Sequence, residues 1–250
     1  MNSAIMHNLI QLISTHTGIQ IRKQDYKDFC NKLYSRMKVL RLNTPEQYYE
    51  LLLNTSNPSV SSIVNNTPNE WKELVLLLTI GETYVFRDRG QINLLKTQII
   101  PKLINKKRKV WDKNRDKKPC LKIWSAGCSS GDEPYSLAII VKELIPEFND
   151  WNILILGTDI NLESIEKARQ GIYDSWSFRQ VDARIQKQYF SQQSRRWEVD
   201  NQIRKIVKFR WMNLLRESFP NQLTNFYNLD LIVCRNVFIY FNYQAIATIL

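Results

Sequence analysis

The chain has 250 residues, of which 44% are hydrophobic and 24% charged, with seven glycines and eight prolines. Such a composition suits one or two globular domains and excludes a low-complexity or collagen-like chain. The formal net charge of +11 favours an acidic partner, whether nucleic acid, an anionic membrane or an acidic protein surface, without choosing among them.

Residues 1–80 read as a small all-helical domain. Leu9, Leu12, Ile13 and Ile19 open an apolar pattern, and Tyr26, Phe29, Leu33, Met37 and Leu40 keep helical spacing over 25–40. Thr44, Pro45 and Glu46 have the order of an N-cap, a first-turn proline and a first-turn acid. They predict a short helix over 48–53. The stretch 54–69 is rich in Ser, Asn, Thr and Pro and reads as irregular; 71–80 reads as helix again. Between Arg22 and Arg41 the cations Lys23, Lys27, Lys32, Arg36 and Lys38 outweigh Asp25 and Asp28. That face is either an ordinary solvated surface or a docking surface for an acidic partner.

Residues 81–89, GETYVFRDR, read as a linker of unusual chemistry, because Thr83, Tyr84, Phe86 and Arg87 put a hydroxyl, two aromatics and a guanidinium together. A capping turn would explain them, and so would passage over a ligand cleft. The pattern of 91–100 predicts a helix ending near Pro101, followed over 102–122 by a basic exposed loop.

The stretch 121–136, LKIWSAGCSSGDEPYS, then carries a short apolar strand, a turn of small residues with two glycines, and a helix start with Pro134 in its first turn. Strand, small-residue turn and helix make the first half of a nucleotide-binding α/β unit. A phosphate cradle needs amides and cations. Asp132 and Glu133 at this turn point instead to a ligand with ribose hydroxyls and no phosphate, such as S-adenosylmethionine. Downstream, Ile153–Leu156 is a continuous apolar run typical of a parallel strand buried on both faces. It ends at Asp159, the place where such folds put an acceptor for ribose hydroxyls. A helix is expected over 161–170, stopped by Gly171. The alternation of 203–209 suggests short antiparallel strands within an inserted subdomain of about 174–210. Leu229–Cys234 reads as a further buried strand delivering Arg235, Asn236 and Tyr240 past its carboxyl end.

Cys30, Cys120, Cys128 and Cys234 form no C-x-x-C pair, and only His7 and His16 accompany them, so no metal site is expected. Their spacing suggests no disulfide scaffold, which points to a reducing, cytoplasmic compartment. No apolar run approaches the ~20 residues that span a bilayer, and the start of the chain has no signal-peptide pattern.

Taken together, GETYVFRD (81–88), WSAGCSSGDEPYSLA (124–138), LGTDINLESIEKARQGIY (156–173), WMNLL (211–215) and CRNVFIYF (234–241) resemble the CheR-type chemotaxis-receptor glutamate O-methyltransferases. The resemblance runs in order along essentially the whole chain. It implies an α/β fold: a Rossmann-like methyltransferase sheet with a small antiparallel subdomain, preceded by the helical domain. Residues 1–80, 81–90 and 91–250 would then be the helical domain, a linker contributing to the cofactor site and the methyltransferase domain. It also implies S-adenosylmethionine as cofactor, and as partners the cytoplasmic helices of chemoreceptors, met by a monomer that neither enters the membrane nor binds nucleic acid. Position by position, the resemblance places Thr83, Arg87, Glu133, Asp159, Asn213, Leu214, Arg235 and Asn236 at the cofactor and assigns Arg87 and Tyr240 to the reacting centre. Two features depart from the family: Gly81 stands where members often have Asn, and the last strands of the family's sheet are missing after Leu250. A methyltransferase of another substrate, nucleic acid or protein, and a truncated non-catalytic cofactor-binding protein are the alternative readings.

Overall fold

A computed structural model describes residues 2–55, 70–112, 118–217 and 226–250. From residue 56 onward, the expected irregular stretch before Trp71 lies outside the described residues, as does 113–117 of the basic run. The described residues divide into two compact units, one drawn from Met1–Ile80, Asn213–Glu217 and Asn236–Leu250, the other from Gly81–Met212 and Ser218–Arg235.

The first unit contains α1 (Ser3–Thr17), α2 (Tyr26–Val39), α3 (Pro45–Thr55) and α4 (Glu70–Leu78). Their apolar stripes meet in a core of Leu9, Ile13, Phe29, Leu33, Tyr48, Leu52, Trp71 and Leu74. Local chemistry sets the ends. Thr44 Oγ1 accepts from the Gln47 amide while Gln47 Oε1 accepts from the Thr44 amide, a reciprocal capping box at α3. Gly18 closes α1 at φ +77°, and a Cβ there would meet the Phe241 ring at 2.3 Å. The same unit holds a 3₁₀ turn over Phe238–Tyr240, whose Tyr240 carbonyl accepts from Gln20 N at 2.8 Å.

One expectation about this unit is overturned. Arg36 does not belong to an open basic face. Its guanidinium bonds both carboxylate oxygens of Glu70, at 3.0 and 2.6 Å, and reaches Glu73 at 3.4 Å. Glu70 is 1% exposed and also accepts from Tyr48 Oη at 2.7 Å. A buried carboxylate needs a cation and hydrogen bonds around it, and α2 supplies that cation. Lys27 and Lys38 remain exposed on α2, and Lys32 pairs with Asp28 one turn away.

The second unit starts with α5 (Arg89–Leu94), a π-helical turn over Leu95–Ile99, and α6 (Ile100–Trp111). The helix therefore runs through Pro101 instead of ending there, and the start of the basic run is helical. Proline lacks an N–H and crowds the carbonyl four residues back. The wide π turn just before it, with Pro101 in the first turn of α6, relieves both problems.

Parallel strands β1 (Cys120–Ala126), β2 (Asn152–Asp159), β6 (Val207–Trp211) and β7 (Leu231–Val233) form a sheet in the order β6-β2-β1-β7, with β1, β2 and β7 on the apolar runs that predict strands. The helices α7 (Asp132–Leu144) and α8 (Leu162–Gln170) follow β1 and β2. Gly157 in β2 is required by packing, since a Cβ would lie 2.7 Å from the Phe209 ring and 2.9 Å from Pro134. The second sheet is antiparallel, in the order β3-β5-β4, from β3 (Ile172–Tyr173), β4 (Phe190–Gln193) and β5 (Arg196–Val199), with α9 (Ala183–Tyr189) before β4. The alternation of 203–209 is not a pair of antiparallel strands. Asp200 caps a short helix α10 (Asn201–Ile206), and Val207 onward joins the parallel sheet beside β2. Among the described residues the parallel sheet ends on β7, where Ile232 is 56% exposed.

A candidate cofactor site at the strand ends

The turn between β1 and α7 is shaped by left-handed backbone at Gly127, Ser129 and Gly131, with φ of +74°, +47° and +88°. Glycine takes such angles without steric cost, while Ser129 is held there by its neighbours. Its amide donates to Asp159 Oδ2 at 2.8 Å and its hydroxyl to the Gly81 carbonyl at 3.1 Å. The amides of Gly127 and Cys128 both donate to the Thr158 carbonyl. The end of β2 thus fastens the turn that follows β1.

Two carboxylates lie at these strand ends. Asp159 accepts from the amides of Ser129 and Asn161, each at 2.8 Å. Burial pushes its carboxyl above the usual range, and the amides of Asn161, Ser129 and Ile160 oppose that rise. Glu133, in the first turn of α7, accepts from Ser125 Oγ at 2.7 Å and from Arg235 Nη1 at 2.8 Å. Burial raises it too, against the pull of Ser125 and Arg235. Each carboxylate offers acceptor capacity only, which suits hydroxyl and ammonium donors of a nucleoside ligand and not a phosphate.

Arg235 is the hub of this unit's linker. Besides Glu133 it donates to the Arg87 carbonyl at 2.7 Å, Gln91 Oε1 at 2.6 Å and Asp88 Oδ2 at 3.3 Å. Thr83 is half-buried on the same linker. Arg87 donates to the Glu82 carbonyl and lies 5.9 Å from the centre of the Tyr84 ring. Asn213, Leu214, Asn236 and Tyr240 belong to the other unit. There Asn213 is buried and its side chain is already used, donating to the His16 carbonyl at 2.9 Å and accepting from Leu215 N. The structure thus brings Glu133, Asp159, Arg235 and the linker together within one unit, while Arg87 and Tyr240 fall in different units.

Sequence reasoning missed several supporting residues. Ser125 orients Glu133, Ser136 accepts the Phe86 amide at 2.8 Å, and Arg179 packs on the linker through the Tyr84 ring. Isolated serines and an isolated arginine carry no pattern, so no local signal marks them. In the sequence Asp132 is only half of an acidic pair. In the fold it is 1% exposed, and one of its oxygens has no protein partner among the described residues. Burial raises its carboxyl to about 6. The thiols are poor nucleophile candidates: burial, with nearby carboxylates, holds Cys128 well above its ordinary value and pushes Cys234 up to about 12. Among the described residues no cluster of His, Cys, Asp and Glu could hold a metal ion, and no helix is long and apolar enough to cross a membrane.

A parallel sheet with a glycine-shaped first turn, an acid in the first turn of the helix that follows it and an acid ending the next strand defines a nucleoside-cofactor α/β domain. Residues 81–250 match the family model described as CheR methyltransferase, SAM binding domain, and the chain belongs to that family. It is 30% identical to a chemotaxis protein methyltransferase of Borreliella burgdorferi, over 95% of this chain and 77% of that protein. Chemotaxis protein methyltransferase 2 of Pseudomonas aeruginosa is 30% identical, over 90% of this chain and 72% of its own length. Chemotaxis protein methyltransferase 1 of Vibrio cholerae is 29% identical, over 90% and 82%. The methyl donor of this family is S-adenosylmethionine, and the two half-buried carboxylates are acceptors that fit its hydroxyl and ammonium donors.

Proposed function

We propose that the chain transfers the methyl group of S-adenosylmethionine to glutamate side chains on the cytoplasmic helices of chemoreceptors, forming glutamate methyl esters, and that it does so as a cytoplasmic monomer. The observation that carries this reading is the family match over 81–250 together with the half-buried, acceptor-only carboxylates of Glu133, in the first turn of α7, and Asp159, at the end of β2.

S-adenosylmethionine, when bound, supplies a methyl group already activated on a sulfonium. The acceptor carboxylate is already ionised at pH 7, so no side chain is asked to move a proton. The protein's task is to bind, to exclude water and to aim one carboxylate oxygen along the line of the methyl–sulfur bond at about 3–3.5 Å. In this reading Glu133 and Asp159 hold the cofactor's hydroxyl and ammonium donors, and Thr83 adds a hydroxyl from the linker. Arg235 closes the pocket while steadying Glu133. Arg87 orients the incoming carboxylate with a forked pair of donors that lysine cannot reproduce. The exposed cations left on α2 suit an acidic helical substrate, which electrostatic complementarity would steer.

The test is incubation with labelled S-adenosylmethionine and, in parallel, receptor cytoplasmic fragments or nucleic acid. Label released from the receptor fragment by mild base, the behaviour of a methyl ester, supports the proposal. Label in nucleic acid alone, or cofactor binding with no transfer, would replace it with one of the alternatives.

A further inference from the structure

The linker that carries Thr83 and Arg87 is held in an unusual backbone state. Phe86 and Asp88 both take positive φ, +57° and +58°, where residues with a Cβ are uncommon and a bulky one is strained. Such a conformation persists only where the surroundings over-determine it. Two of the restraints are the Phe86 amide on Ser136 and the Arg235 contacts to Arg87 and Asp88.

The third comes from the start of the inserted antiparallel region. After β3 the chain makes a 3₁₀ turn over Ser175–Phe178, and the Ser177 carbonyl accepts the Val85 amide at 3.0 Å. Arg179 then lays its guanidinium over the Tyr84 ring, 3.5 Å from its centre, with Trp176 at 4.2 Å. It also reaches Glu82 Oε1 at 3.7 Å and donates to the Trp176 carbonyl at 3.0 Å. The Arg179 side chain is only 21% exposed. A guanidinium stacked this closely and partly desolvated is held far more firmly than a surface cation. Tyr84 in turn carries the Arg87 guanidinium at its other contact, 5.9 Å away.

We infer that Arg179 is a positioning residue for methyl transfer: through Tyr84 it fixes the linker so that Arg87 stands ready for the acceptor carboxylate. The role rests on the proposed function for its chemistry, but the restraint on the linker can be measured without it. It also gives the antiparallel insertion a direct hold on the linker.

The experiment compares the parent with Arg179→Ala, Arg179→Lys, Tyr84→Ala and the Arg179→Ala/Tyr84→Ala double variant. Receptor-fragment methylation and amide exchange at Val85 and Phe86 are both measured. Misplacing a reacting group by about an ångström can cost up to about a hundredfold, so Arg179→Ala should lower kcat about ten- to a hundredfold with KM for the receptor fragment unchanged. Arg179→Lys, which keeps the charge but not the planar stack, should recover part of the rate. It also serves as the test should the alanine variant fold poorly. Tyr84→Ala should match Arg179→Ala, and the double variant should be no worse than either, because both remove one contact. Faster exchange at Val85 and Phe86, with the core strands unchanged, should accompany the loss. Unchanged kcat in a folded Arg179→Ala protein would overturn the inference, as would a rise in KM with kcat intact or strictly additive losses. If the parent methylates no receptor fragment, the proposed function fails on its own, and amide exchange decides the restraint: unchanged exchange in Arg179→Ala would overturn that too.

Discussion

Replacing Asp132 by asparagine should change how stability responds to pH. The Asp132 side chain is fully enclosed by the turn and the first coil of α7, with Ser130 Oγ donating to one oxygen at 2.8 Å. Burial dominates its titration; Ser130 and its own amide oppose, Arg179 opposes from a distance, and Asp174 adds to the rise. Tyr173 also faces it and donates to the Ser130 carbonyl. Its carboxyl is raised from 3.8 to about 6 on folding. Between those values the folded state holds a proton that the unfolded state has lost, so stability falls as pH rises across that window. Taking 1.36 kcal/mol per unit, the full cost above pH 6 is about 3 kcal/mol, of which about 2 kcal/mol develops between pH 4.5 and 7.5. The asparagine amide would not titrate. Denaturant unfolding of parent and Asp132→Asn at the two pH values should therefore show the variant gaining about 2 kcal/mol on the parent at the higher pH. Glu133 and Asp159 titrate in both proteins and cancel in the difference. Parallel stability–pH curves for the two proteins would refute the reasoning, because they would mean that Asp132 is not held in a desolvating site.

Asp159→Ala should weaken S-adenosylmethionine binding by roughly 1.5–3 kcal/mol, the usual loss of a hydrogen bond to an ionised group; unchanged affinity by calorimetry in a folded variant would remove Asp159 from the site. Arg36→Glu should destabilise the helical unit by about 3–5 kcal/mol, since it sets a third carboxylate against the buried Glu70. Lys32→Glu, which breaks a partly exposed i,i+4 pair with Asp28, should cost less than about 1 kcal/mol. Thermal melts separate those two outcomes, and only Lys32→Glu is a clean probe of receptor docking, where it should slow methylation at low salt and leave cofactor affinity alone. Arg87→Lys and Tyr240→Phe should each lower turnover with little change in melting temperature, and their rate–pH profiles should gain no new titration near neutrality.

The apolar runs 121–126 and 153–156 carry enough local information to declare parallel strands, because a strand buried on both faces must be apolar on both. The glycines that follow the first of them are legible for a related reason: backbone held at positive φ constrains residue type at fixed points along the chain. Helical spacing in 25–40 and the Thr44 cap before Pro45 are likewise local and emerge intact. What went astray has two sources: partners distant in sequence and local turn geometry that the residue pattern does not display. Arg36 reads as a surface cation until Glu70 arrives beside it. The alternation of 203–209 is compatible with strands until Asp200 caps a helix and β2 offers Val207 a parallel neighbour. Pro101 stops a helix in isolation, but a π turn carries the helix past it. The site follows the same division. Sequence alone determines which carboxylates, glycines and linker residues are available, since each answers to its immediate neighbours. Only the tertiary structure decides that Ser125 and Arg235 hold Glu133, that Asp132 is sealed from water, and that Arg179 grips the linker. Most of those contacts join residues far apart in the chain, and burial and electrostatics are properties of the assembled surroundings, not of any stretch of chain.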